Sequence, residues 1–369
     1  MIYTIEKVTT LIGARRFGST DAKIGFILTD SRSLCFPEET LFFALKSGRN
    51  DGHRYILELY HRGVRNFVVT EVPANYASDY PQANFLKVVD SLESLQRLAE
   101  RHRDEFNIPI VGITGSNGKT MVKEWLNQLL SDDLFVTRSP RSYNSQVGVP
   151  LSVWLLNEHS QVGVFEAGIS QPGEMLALRD IIQPTIAVLT NLGDAHQENF
   201  VSREAKCKEK LVLFHDAKIV VYNGDDSLIS DCVNALEDFR GERLYWSCSD
   251  HNAPFFVKSI EKKATATTIT YIYKGIESWY SLPFIDDASI TNSFACAAVA
   301  LTLGISKDAL DERMLQLEPI AMRLEVKQGQ HGCTLINDSY NSDINSLDIA
   351  LDFMNRRPDH QGRRHTLIL

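Results

Sequence analysis

The sequence predicts an α/β fold in three parts: a small N-terminal α/β domain, a central domain built on a mostly parallel sheet with a phosphate-binding loop, and the start of a C-terminal Rossmann-like domain. Three observations carry this prediction. From Ile108 onward, short β-branched runs ending in Gly or polar residues alternate with helical segments, the pattern of a sheet covered by helices on both faces. A glycine-bearing loop, GSNGKT, joins a strand-like run to an amphipathic helical one. A polar, charged segment at 101–107 separates two distinct α/β rhythms.

Taken in order, the first hundred residues carry the apolar runs IGFILTD, ETLFFAL, NFVVT and FLKVV, with a helical stretch around 55–61. The central part supplies IPIVGIT, VGVFE, TIAVLTN and AKIVVYN as buried strands. The Thr-rich stretch ATATTITYIYKG alternates in polarity and reads as antiparallel. CTLINDSYNSDINSLDIALDFMNRRP then opens a further βαβ unit that leads to HTLIL. The expected domains are therefore 1–103, 104–321 and 322–369. The last is expected to be incomplete, because an apolar strand at 366–369 leaves a sheet edge and a helix face without their covering elements.

With 369 residues and 44% hydrophobic composition the chain can bury more than one core. A net charge of −9 argues against nucleic acid or an anionic membrane as a partner bound by bulk electrostatics. The six cysteines are scattered with no CxxC pair, which fits neither a zinc site nor a disulfide framework and suits a reducing cytoplasm. The N-terminus lacks the apolar core of a signal peptide, and the longest apolar stretch, near FACAAVALTLGI, is too short to span a bilayer.

Gly115, Ser116, Asn117, Gly118, Lys119 and Thr120 form a GxxGKT phosphate loop, two residues shorter than GxxxxGKT. Glycines let backbone N–H groups approach an anion, the helix N-terminus adds positive potential, and Lys119 reaches the terminal phosphates. Thr120 offers its hydroxyl to Mg²⁺. Val122, Trp125, Leu126, Leu129 and Leu130 recur on one face of the helix that follows. Glu166 closes the strand VGVFE, where a carboxylate beside a phosphate loop suits a metal role. No NKxD guanine motif is present, so a GTPase is excluded. His196, just past a buried strand, reads alone as a hydrogen-bonded loop residue, and Lys206, Lys208 and Lys210 read alone as the wet face of a helix.

TGSNGKT, EAGISQPGEM, TNLGDAHQENF with the Lys210 segment, YNGDD, TNSFACAA and NDSYNSDINS occur in that order, and the set resembles the Mur ligases, the ATP-dependent amide-forming enzymes of peptidoglycan precursor synthesis. The resemblance implies that Lys119 and Thr120 hold the ATP phosphates and Mg²⁺, and that Glu166 and His196 bind metal. It implies a carbamylated Lys210, with Lys208 as the rival. Asn292 resembles the adenine-contacting Asn, while Arg323 and Asp338 resemble the pair that reaches the nucleotide from the hinge and the third domain. Ser31, Arg32 and Asn144 resemble the contacts to the UDP-muramyl substrate. Within the family, TDSR at 29–32, LFFALKSGRNDGH at 41–53 and NDSYNSD at 337–343 imply UDP-N-acetylmuramoyl-tripeptide and D-alanyl-D-alanine as the substrates. A monomer is expected, although no motif fixes the oligomeric state. Two alternatives stay open: a ligase resembling folylpolyglutamate synthase, and a nucleotide-binding fragment without turnover.

Overall fold

The four apolar runs of the first hundred residues pair into one sheet. In the computed structural model, residues 1–48, 50–320, 325–330, 333–337, 339, 347, 350, 351, 354 and 366–368 are described. The strands are β1 (Arg15–Phe17), β2 (Phe26–Leu28), β3 (Thr40–Phe43), β4 (Asn66–Val69) and β5 (Asn84–Lys87), in the order β1-β5-β4-β3-β2. β2 through β5 run parallel, and β1 closes the edge antiparallel to β5. Alternate residues enter two cores, Phe42, Phe67 and Phe85 on one face and Leu41, Phe43, Val68 and Leu86 on the other. Burial on both faces is why these strands read as continuous apolar runs.

Helix α1 (Ser91–Arg103) covers the second face with Leu95 and Leu98. It starts where the Asp90 carboxylate accepts from the backbone N–H groups of Leu92 (2.7 Å) and Glu93 (2.9 Å). The polar run that reads as a connector is partly helix and partly interior. His102 and Arg103 are buried, and Arg103 donates to the carbonyl oxygens of Phe106 (2.6 Å) and Ile182 (3.0 Å). Contacts group Met1–Ile108 with Tyr143–Ser160 and Asp180–Ile182 into a first unit, and the remaining residues into a second.

The second unit holds a nine-stranded sheet of β6 (Ile110–Thr114), β7 (Val136–Arg138), β8 (Val162–Glu166), β9 (Ile186–Leu189), β10 (Ile219–Asn223), β11 (Glu242–Ser247), β12 (Phe255–Lys262), β13 (Thr267–Tyr273) and β14 (Ile276–Leu282). The order is β14-β13-β12-β11-β10-β9-β6-β8-β7. Pairing is parallel from β7 to β12 and antiparallel across β12, β13 and β14, as the alternating polarity of the Thr-rich stretch predicts. Helices α2 (Lys119–Leu130) and α4 (Asp287–Thr302) share a core with this sheet, and α3 (Arg203–Leu211) follows β9 in the chain.

Beyond α4, Glu325–Gln328 and Thr334–Asn337 pair as an antiparallel hairpin, and Leu347, Ala350, Leu351 and Met354 are helical. Residues 366–368 form no strand, contrary to the expectation from their composition; a strand is defined by its pairing, and among the described residues none pairs with them. No helix among the described residues is long and apolar enough to cross a membrane.

Candidate functional site

The strand order changes direction at β6, which lies between β8 and β9. Open α/β sheets bind ligands outside the carboxyl ends of the strands at such a point. Register brings three sequence-predicted features to that end: Glu166 is paired with Ile113, Leu189 with Thr114, and the phosphate loop follows Thr114 directly.

The loop is shaped by the segment after β9. The backbone N–H of Ser116 donates to Asn191 O (3.0 Å), that of Asn117 to Asn191 Oδ1 (3.0 Å), and the Ser116 hydroxyl to Gly193 O (3.1 Å). The Thr190 hydroxyl donates to Asn117 O at 2.5 Å. Gly115, at φ 143°, lies so close to this segment that a Cβ would stand 2.0 Å from Thr190 Oγ1. Gly118, at φ 82°, would place a Cβ 2.5 Å from Asn292 Oδ1. Both glycines are therefore required by close approach as well as by backbone conformation.

Asn292 is buried on α4 against Gly118 and donates to Met121 Sδ at 3.3 Å. It is not the N-cap of its helix: Asp286 is, accepting from Ser289 N at 2.7 Å. The Lys119 ammonium donates to the carbonyl oxygens of Gly115 (2.7 Å) and Ser116 (3.0 Å) at the first turn of α2. The Thr120 hydroxyl donates to Glu166 Oε2 (3.2 Å) and lies 2.9 Å from the Ser142 hydroxyl. This donor set is oxygen only, and its carboxylate and hydroxyls are the hard ligands that suit Mg²⁺.

Of the three lysines on α3, only Lys208 behaves as a wet face, exposed and paired with Glu204 at 2.5 Å. Lys206 is buried and donates to the carbonyl oxygens of Gly193 (2.5 Å) and Ala195 (3.1 Å). Lys210 is 3% exposed and donates to Gly115 O at 3.3 Å. Burial first, then the positive charges of Lys119 and Lys206, hold its pKa well below the lysine range.

His196 is exposed, in a left-handed turn at φ 59°. Among the described residues no three His, Cys, Asp or Glu side chains cluster as a metal site. Arg323 and Asp338 lie outside the described residues. Ser31, Arg32 and Asn144 all belong to the first unit, the last through Tyr143–Ser160. Ser31 is buried in a turn where its carbonyl oxygen accepts from Arg62 (2.7 Å), and Arg32 is exposed and paired with Asp30 (2.6 Å).

Sequence reasoning missed Thr190 and Asn191, which shape the loop, and Lys123, which is fully buried 3.1 Å from Glu166 Oε1. The signal for Lys123 was its spacing: with Leu126 and Leu130 it continues the stripe of α2 that begins at Lys119.

This fold and loop define a nucleotide-binding enzyme of the doubly wound α/β class. The description "Mur ligase middle domain" matches residues 113–300, and the chain belongs to the Mur ligase family. It is 28% identical over 332 residues to a UDP-N-acetylmuramoyl-tripeptide–D-alanyl-D-alanine ligase of Bacillus subtilis, covering 88% of this chain and 69% of the relative. A crystal structure of a MurF ligase from Thermotoga maritima in complex with ADP aligns with TM-score 0.77 and 25% identity over 94% of this chain and 76% of that one. A MurF structure from Acinetobacter baumannii aligns with TM-score 0.86 at 23% identity, over 97% and 77%, and shows the shared fold.

Proposed function

We propose that the protein joins the terminal carboxylate of UDP-N-acetylmuramoyl-tripeptide to the amine of D-alanyl-D-alanine, with ATP converted to ADP and phosphate. The observation that carries this reading is the meeting of the GSNGKT loop, Glu166 and Lys210 around the carboxyl ends of β6, β8 and β9, in a chain 28% identical to a ligase named for those substrates. The six cysteines, all unpaired, support a cytoplasmic setting.

In this reading the first N–H groups of α2, with Ser116 and Asn117 held in place by Asn191, and the Lys119 ammonium receive the β- and γ-phosphates of ATP. The tripeptide carboxylate attacks the γ-phosphorus, an acyl phosphate forms and ADP leaves. The amine then attacks the acyl carbon, losing a proton as the amide forms and phosphate departs. Two anions must meet in the first step, so neutralisation by preorganised groups is the largest part of the rate. Thr120 and Glu166 would hold Mg²⁺, with His196, and the ion would supply charge neutralisation at the phosphates. Lys210 is read as a carbamate: its neutral amine adds to CO₂, a proton leaves, and an anionic oxygen replaces a cation near the metal position.

Asn292, beside Gly118, is read as the adenine contact, with Arg323 and Asp338 as further nucleotide contacts. Ser31, Arg32 and Asn144 are read as contacts to the UDP-sugar. The functional domains are read as 1–103, 104–321 and 322–369. Phosphate release measured with the tripeptide nucleotide and each candidate amine tests the assignment. Release dependent on D-alanyl-D-alanine is expected, and release dependent on glutamate but not on the dipeptide would overturn it.

A further inference from the structure

Lys123 stands one turn beyond Lys119 on α2, with 0% of its surface exposed. Its ammonium lies 3.1 Å from Glu166 Oε1 and 3.0 Å from Glu124 Oε1, and it donates to the carbonyl oxygens of Ser139 (2.9 Å) and Arg141. A cation this deep is tolerated only when carboxylates and carbonyls replace its water. Glu124 is partly exposed and also bound by Arg138 Nε at 2.9 Å, so the charge that balances Lys123 in the interior is Glu166.

The two oxygens of Glu166 therefore face different partners. Oε1 meets Lys123, and Oε2 accepts from the Thr120 hydroxyl. The same segment that receives Lys123 also holds the strand end, because Glu166 N donates to Ser139 Oγ at 3.2 Å. Helix, strand end and the segment 139–141 are thus tied through one ammonium.

We propose that Lys123 is a positioning residue: it fixes Glu166 Oε1 and the 139–141 segment so that Oε2 stays beside the Thr120 hydroxyl, where the two oxygens receive the divalent cation. The inference rests on the reading of Glu166 as a cation ligand. The ammonium stands on the Oε1 side, so it orients the carboxylate without occupying the donor oxygen.

Mn²⁺ binding followed by electron paramagnetic resonance, with ADP present, tests this in a double-mutant cycle of Lys123→Met and Glu166→Gln. Lys123→Met alone is expected to weaken Mn²⁺ binding roughly 10- to 100-fold, the effect of losing a partner that orients a metal ligand. In the Glu166→Gln background the same change is expected to weaken it no further. Equal weakening in both backgrounds, or none in either while Glu166→Gln weakens binding, overturns the positioning role and leaves the metal reading standing. Unchanged Mn²⁺ binding in Glu166→Gln overturns both. If Lys123→Met does not fold, the charge-balanced double variant decides: recovery of folding supports the Lys123–Glu166 coupling, and equal instability overturns it.

Discussion

The ammonium of Lys210 lies 3.3 Å from the carbonyl oxygen of Gly115, so α3 delivers a buried lysine to the first residue of the phosphate loop. Burial and the neighbouring ammonium groups favour its neutral amine, the form that adds CO₂. Lys210→Ala is expected to lower turnover by about 10²-fold or more, as does removal of other preorganised charges. A small added carboxylate should restore part of it by refilling the ligand position. Lys208→Ala should behave as wild type, since its exposed pair with Glu204 contributes little. Steady-state phosphate release measures all three, and full turnover by unrescued Lys210→Ala would refute the assignment.

Lys119→Ala is expected to reduce turnover on the order of 10²- to 10³-fold while the fold persists. Its ammonium contacts loop carbonyls at the start of α2 and is only half-buried, so its loss opens no core cavity. Circular dichroism should match wild type. Retention of more than about a tenth of the activity would show that this loop is not where the reacting phosphate sits.

Much of this site was legible in the sequence. The five apolar residues assigned to one face of α2 are all buried, and the loop lies between the strand and helix expected of it. What failed was the treatment of lysine as a solvent marker. Lys206 and Lys210 are four residues apart and share a face, whereas Lys208 lies on the far side of the turn; which face turns inward is set by packing, not by the local sequence. Lys123 was passed over for the same reason: its spacing places it on the buried stripe of α2, but a hydrophobic pattern scores a lysine there as an interruption. The pairing of Asn191 with the loop N–H groups depends on two strands meeting in register, which no short window of sequence contains.

Gly115→Ala and Gly173→Ala separate backbone strain from steric clash. Both glycines have positive φ, 143° and 85°, but a Cβ on Gly173 meets nothing within 4 Å, while one on Gly115 meets Thr190 Oγ1 at 2.0 Å. Gly173→Ala is expected to cost about 1 kcal/mol from conformation alone. Gly115→Ala should cost more, about 1–3 kcal/mol, and should also impair nucleotide binding because the loop must move away from Thr190. Denaturant unfolding and ADP titration provide the comparison; equal stability of the two variants would mean that the loop yields freely.

In the first unit, His102 is 1% exposed and its two ring nitrogens are both engaged. Nε2 donates to Leu156 O at 3.0 Å, which leaves Nδ1 to accept from the Tyr3 hydroxyl at 2.9 Å. Tyr3 keeps its proton for that bond, with its pKa raised to about 12 by burial and by Glu105. Burial likewise lowers the His102 pKa from 6.5 to about 4. The folded state therefore holds a neutral imidazole where the unfolded chain binds a proton. Since the folded pKa is the lower one, the stabilisation is complete above about pH 6.5 and is lost as pH falls toward 4. The shift corresponds to about 3 kcal/mol at its acid limit. His102→Gln has no proton to gain, so its unfolding free energy should fall by about that much less than the wild type's between neutral pH and about pH 4. Other groups titrate alike in the two proteins, and the difference between their urea-unfolding curves isolates the imidazole. Parallel pH profiles would mean that His102 takes up its proton as readily in the folded protein as in the unfolded chain, and that burial does not hold the imidazole neutral.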